Sequence, residues 1–172
     1  LDAARENAVG GRALVALADG TLIRWMIRGM RNQPLEEALI RRYTGYLQDF
    51  RAEQFPLASY VSMPGTTDVV NLLRFHLGEL GDDGEWVDDE TPTLRGFLDR
   101  TLFDDVLAVG ERSAVFGSAS HIIRESYPEG QAICYFYLKI PTGPQTSEIT
   151  RVEMPEWVLD IPDAVDHLHA TL

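Results

Sequence analysis

Ala13-Leu14-Val15-Ala16-Leu17-Ala18 runs into Asp19-Gly20-Thr21, and a second apolar run, Leu22-Ile23-Arg24-Trp25-Met26-Ile27, follows at once. A short apolar stretch closed by a glycine predicts a buried strand, and a carboxylate at its far end is held by rigid backbone at the rim of a sheet. Two readings of Asp19 stand side by side. Strand-end carboxylates hold divalent cations in many folds, whereas Asp-Gly between apolar runs is also a strong hairpin signal that needs no metal.

Outward from that stretch the chain alternates helices and strands. A short helix is expected over Asp2 to Val9, stopped by Gly10-Gly11. Pro34 opens a helix reaching about Arg51, and Leu57 to Met63 reads as a strand closed by Pro64-Gly65. Thr66 or Thr67 caps a helix to about Leu80. A helical Leu94 to Val106 follows, then strands near Ser113 to Phe116, over Ala132 to Ile140 and over Glu148 to Met154, and a last helix from Pro162 to Leu172. This order predicts an α/β fold with a mixed sheet.

The chain has 172 residues, the size of one ordinary domain, and a formal net charge of −12 from 27 acidic and 15 basic residues. Such an excess opposes long-range attraction to nucleic acid or anionic membranes, so a polyanion would need a local basic site, a metal or another subunit. Six of the ten residues Gly81 to Glu90 are carboxylates, the composition of a solvated loop. Cys134 is the single cysteine, which excludes an internal disulfide and a cysteine-rich zinc site; its apolar neighbours make it a core residue. No apolar run approaches the roughly 18 to 20 residues of a membrane span, and no signal-peptide layout opens the chain. A cytoplasmic protein with no membrane partner is expected.

Other polar and aromatic residues carry a functional and a structural reading. Arg112 with Ser113 is a candidate phosphate contact, against an Arg112 paired with Glu111 or Asp99. Arg151 and Glu153 alternate along one strand and share a face, which predicts a salt bridge across the sheet or, more sharply, support of a metal ligand. Trp25, Tyr60, Tyr135 and Tyr137 offer stacking surfaces for unpaired bases, although strand aromatics usually fill cores. His76 and His121 lack ligand spacing.

Six segments, taken together and in order, resemble the bacterial branch of the NurA nucleases: Ala18 to Trp25 (ADGTLIRW), Ser59 to Pro64 (SYVSMP), Asp99 to Phe103 (DRTLF), Gly110 to Phe116 (GERSAVF), Tyr135 to Leu138 (YFYL) and Arg151 to Val158 (RVEMPEWV). The resemblance covers nearly the whole chain. It implies a ribonuclease-H-like fold, a mixed sheet flanked by helices, and a manganese-dependent DNA nuclease, with magnesium as the other candidate cation. It further implies a homodimer working with a hexameric HerA-type translocase in DNA-end resection and double-strand-break repair.

Through the same resemblance Asp19 and Glu6 are the expected catalytic and metal-binding residues, converging on one acidic cleft. Glu6 stands thirteen positions before Asp19. Where some relatives carry a tyrosine three positions after the aspartate, this chain has Leu22. The family's opening aspartate and its terminal histidine have no counterpart, and His167 and His169 precede the histidine segment. Residues 1–172 are therefore expected to form a single nuclease-like domain incomplete at both ends, inactive and associating when isolated. The rival readings are a catalytically inactive module that docks a ring ATPase, and an unrelated α/β hydrolase.

Overall fold

The computed structural model describes residues 14–24, 27, 31–79 and 94–172. The expected Asp2 to Val9 helix, Trp25 and the acidic segment 81–90 lie outside these residues. Their order is β1 (Ala16–Asp19), α1 (Gln33–Ala52), β2 (Leu57–Ser62), α2 (Asp68–His76), α3 (Asp99–Val106), β3 (Phe116–Gly117), α4 (His121–Ser126), β4 (Ile133–Gly143), β5 (Thr146–Pro155), a 3-10 turn (Glu156–Asp160) and α5 (Ala164–Thr171). One sheet takes the strands in the order β1-β2-β5-β4-β3. β1 and β2 are parallel, β3 and β4 antiparallel, and the two-residue link between β4 and β5 forces that pair antiparallel. The result is the mixed α/β sheet flanked by helices that the sequence predicts, consistent with a ribonuclease-H-like fold.

The chain forms two compact units: residues 1–61, 114–136 and 151–172, and residues 62–113 and 137–150. In the first, α1 starts where Asn32 Oδ1 accepts from the Leu35 N–H at 3.2 Å and Pro34 occupies the first turn. Ile133, Phe136, Val152, Met154, Val158 and Leu168 are buried and form its core. The buried Gln131 side chain donates to the Thr44 carbonyl at 3.2 Å and to Gln48 Oε1 at 3.1 Å, tying the start of β4 to α1.

In the second unit α2 ends at His76, short of Leu80, because Gly78 takes φ +75°. That left-handed residue lets Gly78 and Glu79 return their N–H groups to the carbonyls of Phe75 and Arg74, at 3.0 and 2.8 Å. The first turn of α2 is not capped by Thr66 or Thr67. Thr67 makes no side-chain cap, and the Thr66 hydroxyl lies 2.8 Å from that of Tyr137. Asp99, fully buried at the start of α3, accepts instead from the Val70 N–H at 2.8 Å and the Tyr137 hydroxyl at 2.7 Å. α3 itself starts at Asp99 and not at Leu94, since residues 94–96 form a turn with Gly96 at φ +82°. The strand expected near Ser113 is an irregular run along β4, bridged at Arg112 and Leu138, before the two residues of β3.

Candidate functional site

β1 runs parallel to β2 in a register that sets Ala16 against Leu57 and Asp19 against Tyr60. The Gly20 N–H continues this ladder to the Tyr60 carbonyl at 2.9 Å, with Gly20 at φ +77°. The hairpin reading of Asp19-Gly20 is thereby overturned: the partner of β1 is a strand about forty residues onward, and residues 21–24 do not return along β1. Glycine serves here to end the strand in a left-handed conformation that side-chain-bearing residues adopt at a cost. Asp19 sits at the strand end, exposed, and its carboxylate has no hydrogen-bond or ion-pair partner among the described residues. Glu6, its expected companion, lies outside them.

The segment after Asp19 is held by buried polar groups from distant parts of the chain. Glu153 on β5 accepts through Oε2 from the Thr21 hydroxyl at 2.7 Å and the Leu22 N–H at 2.8 Å. Its other oxygen accepts from Arg151 Nε at 2.9 Å, an ion pair along one strand and not across the sheet, with both residues at most 3% exposed. The Arg151 guanidinium lies 3.6 Å from the centre of the Tyr135 ring. The Thr21 hydroxyl in turn accepts from the Ile23 N–H at 3.0 Å.

Two tyrosines finish the clamp. Tyr127 donates to the Leu22 carbonyl at 2.8 Å and accepts from the Arg24 N–H at 3.2 Å, and Tyr43 donates to the same carbonyl at 3.0 Å. Their rings meet edge to face at 6.2 Å, and the Arg24 guanidinium stands 4.4 Å over Tyr43. Burial pushes both phenols above their ordinary range. They are therefore neutral donors at physiological pH. No local pattern joins these partners to the segment after Asp19: Thr21 and Glu153 are 132 residues apart, and Tyr127 follows α4, a helix the sequence does not predict.

The remaining candidates divide by unit. In the second unit Ser113 is buried, with its hydroxyl accepting from the Tyr137 N–H at 2.9 Å, which ties it to β4. Arg112 Nη1 donates to the Ser113 carbonyl at 3.2 Å, while Glu111 and Asp99 hold the N–H groups of Ala108 and Val70. Tyr135 and Tyr137 are core residues, at 1% and 0% exposure, and not stacking platforms. His121 pairs with Glu125 one turn along α4, at 2.8 Å. Cys134 is buried on β4, and burial raises its thiol pKa, in keeping with a core role.

A hard divalent cation needs several oxygen donors converging on one point. Asp19 supplies an exposed, uncommitted carboxylate of the right chemistry, whereas Glu153 and Asp99 are spent on internal partners. No group of three His, Cys, Asp or Glu residues converges among the described residues. They therefore fit one carboxylate of a cation site and not a complete set. No described helix is long and apolar enough to cross a membrane.

Comparison with known proteins gives one result: the family model for the NurA domain matches residues 3–171. No curated protein and no solved structure matches the chain.

Proposed function

The chain belongs to the NurA domain family, a family of nucleases, and from that membership we propose that it is a divalent-cation-dependent DNA nuclease with Asp19 as a metal-binding catalytic carboxylate. The observation that supports this reading is the contrast at the end of β1. Asp19 is exposed and uncommitted, while the next residues are locked by a buried ion pair and two tyrosines. A carboxylate meant to hold a cation is useful only on backbone that does not move, because small displacements of a ligand cost large factors in rate. Manganese or magnesium held by Asp19 would acidify a water and offset negative charge on the phosphate. Glu6 is proposed as a second ligand, Arg112 as a DNA contact, and a homodimer driven by a HerA-type hexameric ATPase as the working assembly in DNA-end resection and repair.

Asp19→Asn tests the proposal, since the amide preserves shape and removes the charge. The full-length protein and the variant are incubated with labelled single- and double-stranded DNA, with manganese and with chelator. Loss of manganese-dependent cleavage by at least about a hundredfold, with an unchanged thermal midpoint, is the expected outcome. Cleavage retained within about threefold assigns Asp19 to the strand end alone. A wild-type protein that cleaves nothing but binds a ring ATPase favours the non-catalytic docking module.

A further inference from the structure

Beside Asp19, within the first unit, an apolar pocket of about 290 Å³ opens between the β1 face and α1. Leu17, Leu22, Tyr46 and Phe50 line it, with Arg24 as its one charged lining residue. Resting on the nuclease reading above, we propose that this pocket receives one unpaired nucleobase of the DNA strand whose backbone passes Asp19, with Tyr46 as the stacking surface and Arg24 and Arg42 facing the phosphates.

Charge supports that occupant. In a chain of net charge −12, two other pockets carry carboxylates: Asp104 and Glu148 in one, Glu36, Glu37 and Glu125 in another. The pocket beside Asp19 carries none. Two arginines stand on its tyrosines, Arg24 in the lining and Arg42 outside it. Arg24 lies over Tyr43 at 4.4 Å, Arg42 lies over Tyr46 at 5.8 Å and donates to its hydroxyl at 2.8 Å, and neither has a carboxylate partner among the described residues. Cations packed on aromatic rings beside an apolar slot are the chemistry of single-strand recognition, in which rings stack on bases and arginines track the backbone. Tyr46 and Leu17, 49% and 50% exposed, are open to such a ligand. A base stacked inside a duplex cannot enter, so the pocket selects a locally unpaired strand.

The test is a metal-free binding and crosslinking experiment, independent of catalysis. A thymidine oligonucleotide carrying one 5-iododeoxyuridine is mixed with the protein in chelator, irradiated, and the crosslinked residue is mapped. The wild-type protein is expected to bind the single strand more tightly than the duplex and to crosslink at Tyr46 or Phe50. Tyr46→Ala lowers single-strand affinity by roughly tenfold or more, and Tyr46→Phe, which keeps the ring, stays within about twofold. Arg24→Gln and Arg42→Gln each reduce the slope of log affinity against log salt by about one.

Three outcomes overturn the proposal: Tyr46→Ala binding within about twofold of wild type, a crosslink mapping outside the pocket, or Tyr46→Ala dissociating a dimer, which makes a second copy the occupant. The nuclease reading fails separately, when Asp19→Asn leaves manganese-dependent cleavage unchanged.

Discussion

Each of the two compact units encloses a carboxylate fully out of water, and the two solve the same problem with different partners. Glu153 faces a cation, Arg151, together with the Thr21 hydroxyl and the Leu22 N–H. Asp99 faces no cation among the described residues; it accepts from the Val70 N–H in the first turn of α2 and from the Tyr137 hydroxyl. The first carboxylate joins two strand neighbours to a loop, and the second stands in for the missing cap of a helix, where the positive end of the macrodipole favours negative charge. A hydroxyl can exchange donor for acceptor when its partner changes, whereas a guanidinium cannot. Hence the Glu153 arrangement is the brittle one.

That difference is broken most directly by Glu153→Gln. The substitution removes the negative charge that faces the buried Arg151 guanidinium, and a loss of about 3–5 kcal/mol in urea unfolding is expected. A loss below about 1 kcal/mol would mean that Arg151 finds water or another acceptor. In Asp99→Asn the amide oxygen still accepts from Val70, and Tyr137 turns its proton toward Thr66, so the expected loss is smaller, about 1–2 kcal/mol. Equal losses at the two sites would erase the distinction drawn here.

The smallest effect is confined to alkaline pH. Burial raises the pKa of Tyr127 above the free value of 10.0, so below pH 10 both folded and unfolded chains carry the proton and stability is intact. As pH rises past 10, the unfolded chain ionises first and stability falls. Tyr127→Phe, already weakened by the orphaned Arg24 N–H, should show a shallower fall in unfolding midpoint above pH 10. A slope identical to wild type would show that Tyr127 ionises freely in the folded protein.

The sequence predicts local features of this structure well. Pro34 and Arg51 bracket α1, the two-residue spacing of Arg151 and Glu153 predicts their shared face, and the neighbours of Cys134 mark it as core. What it does not reveal depends on partners far along the chain. Asp19-Gly20 carries a hairpin pattern because that pattern is local, while the parallel strand that overrides it lies across α1. Thr67 has the chemistry of a cap, yet the cap is Asp99, some thirty residues later. The candidate site shares this character: Asp19 is visible as a strand-end carboxylate, but the groups that fix its surroundings, Glu153, Tyr127 and Tyr43, are joined to it only by folding.

The 132-residue span between Thr21 and Glu153 sets a timetable for synthesis. At about 5–20 residues per second, Glu153 leaves the ribosome's catalytic centre roughly 7–26 s after Thr21. Throughout that interval the loop beside Asp19 lacks the carboxylate that anchors it, and β1 lacks the β5 side of its sheet. The segment beside Asp19 thus reaches its anchored conformation only after residue 153 has been made, late in the translation of these residues.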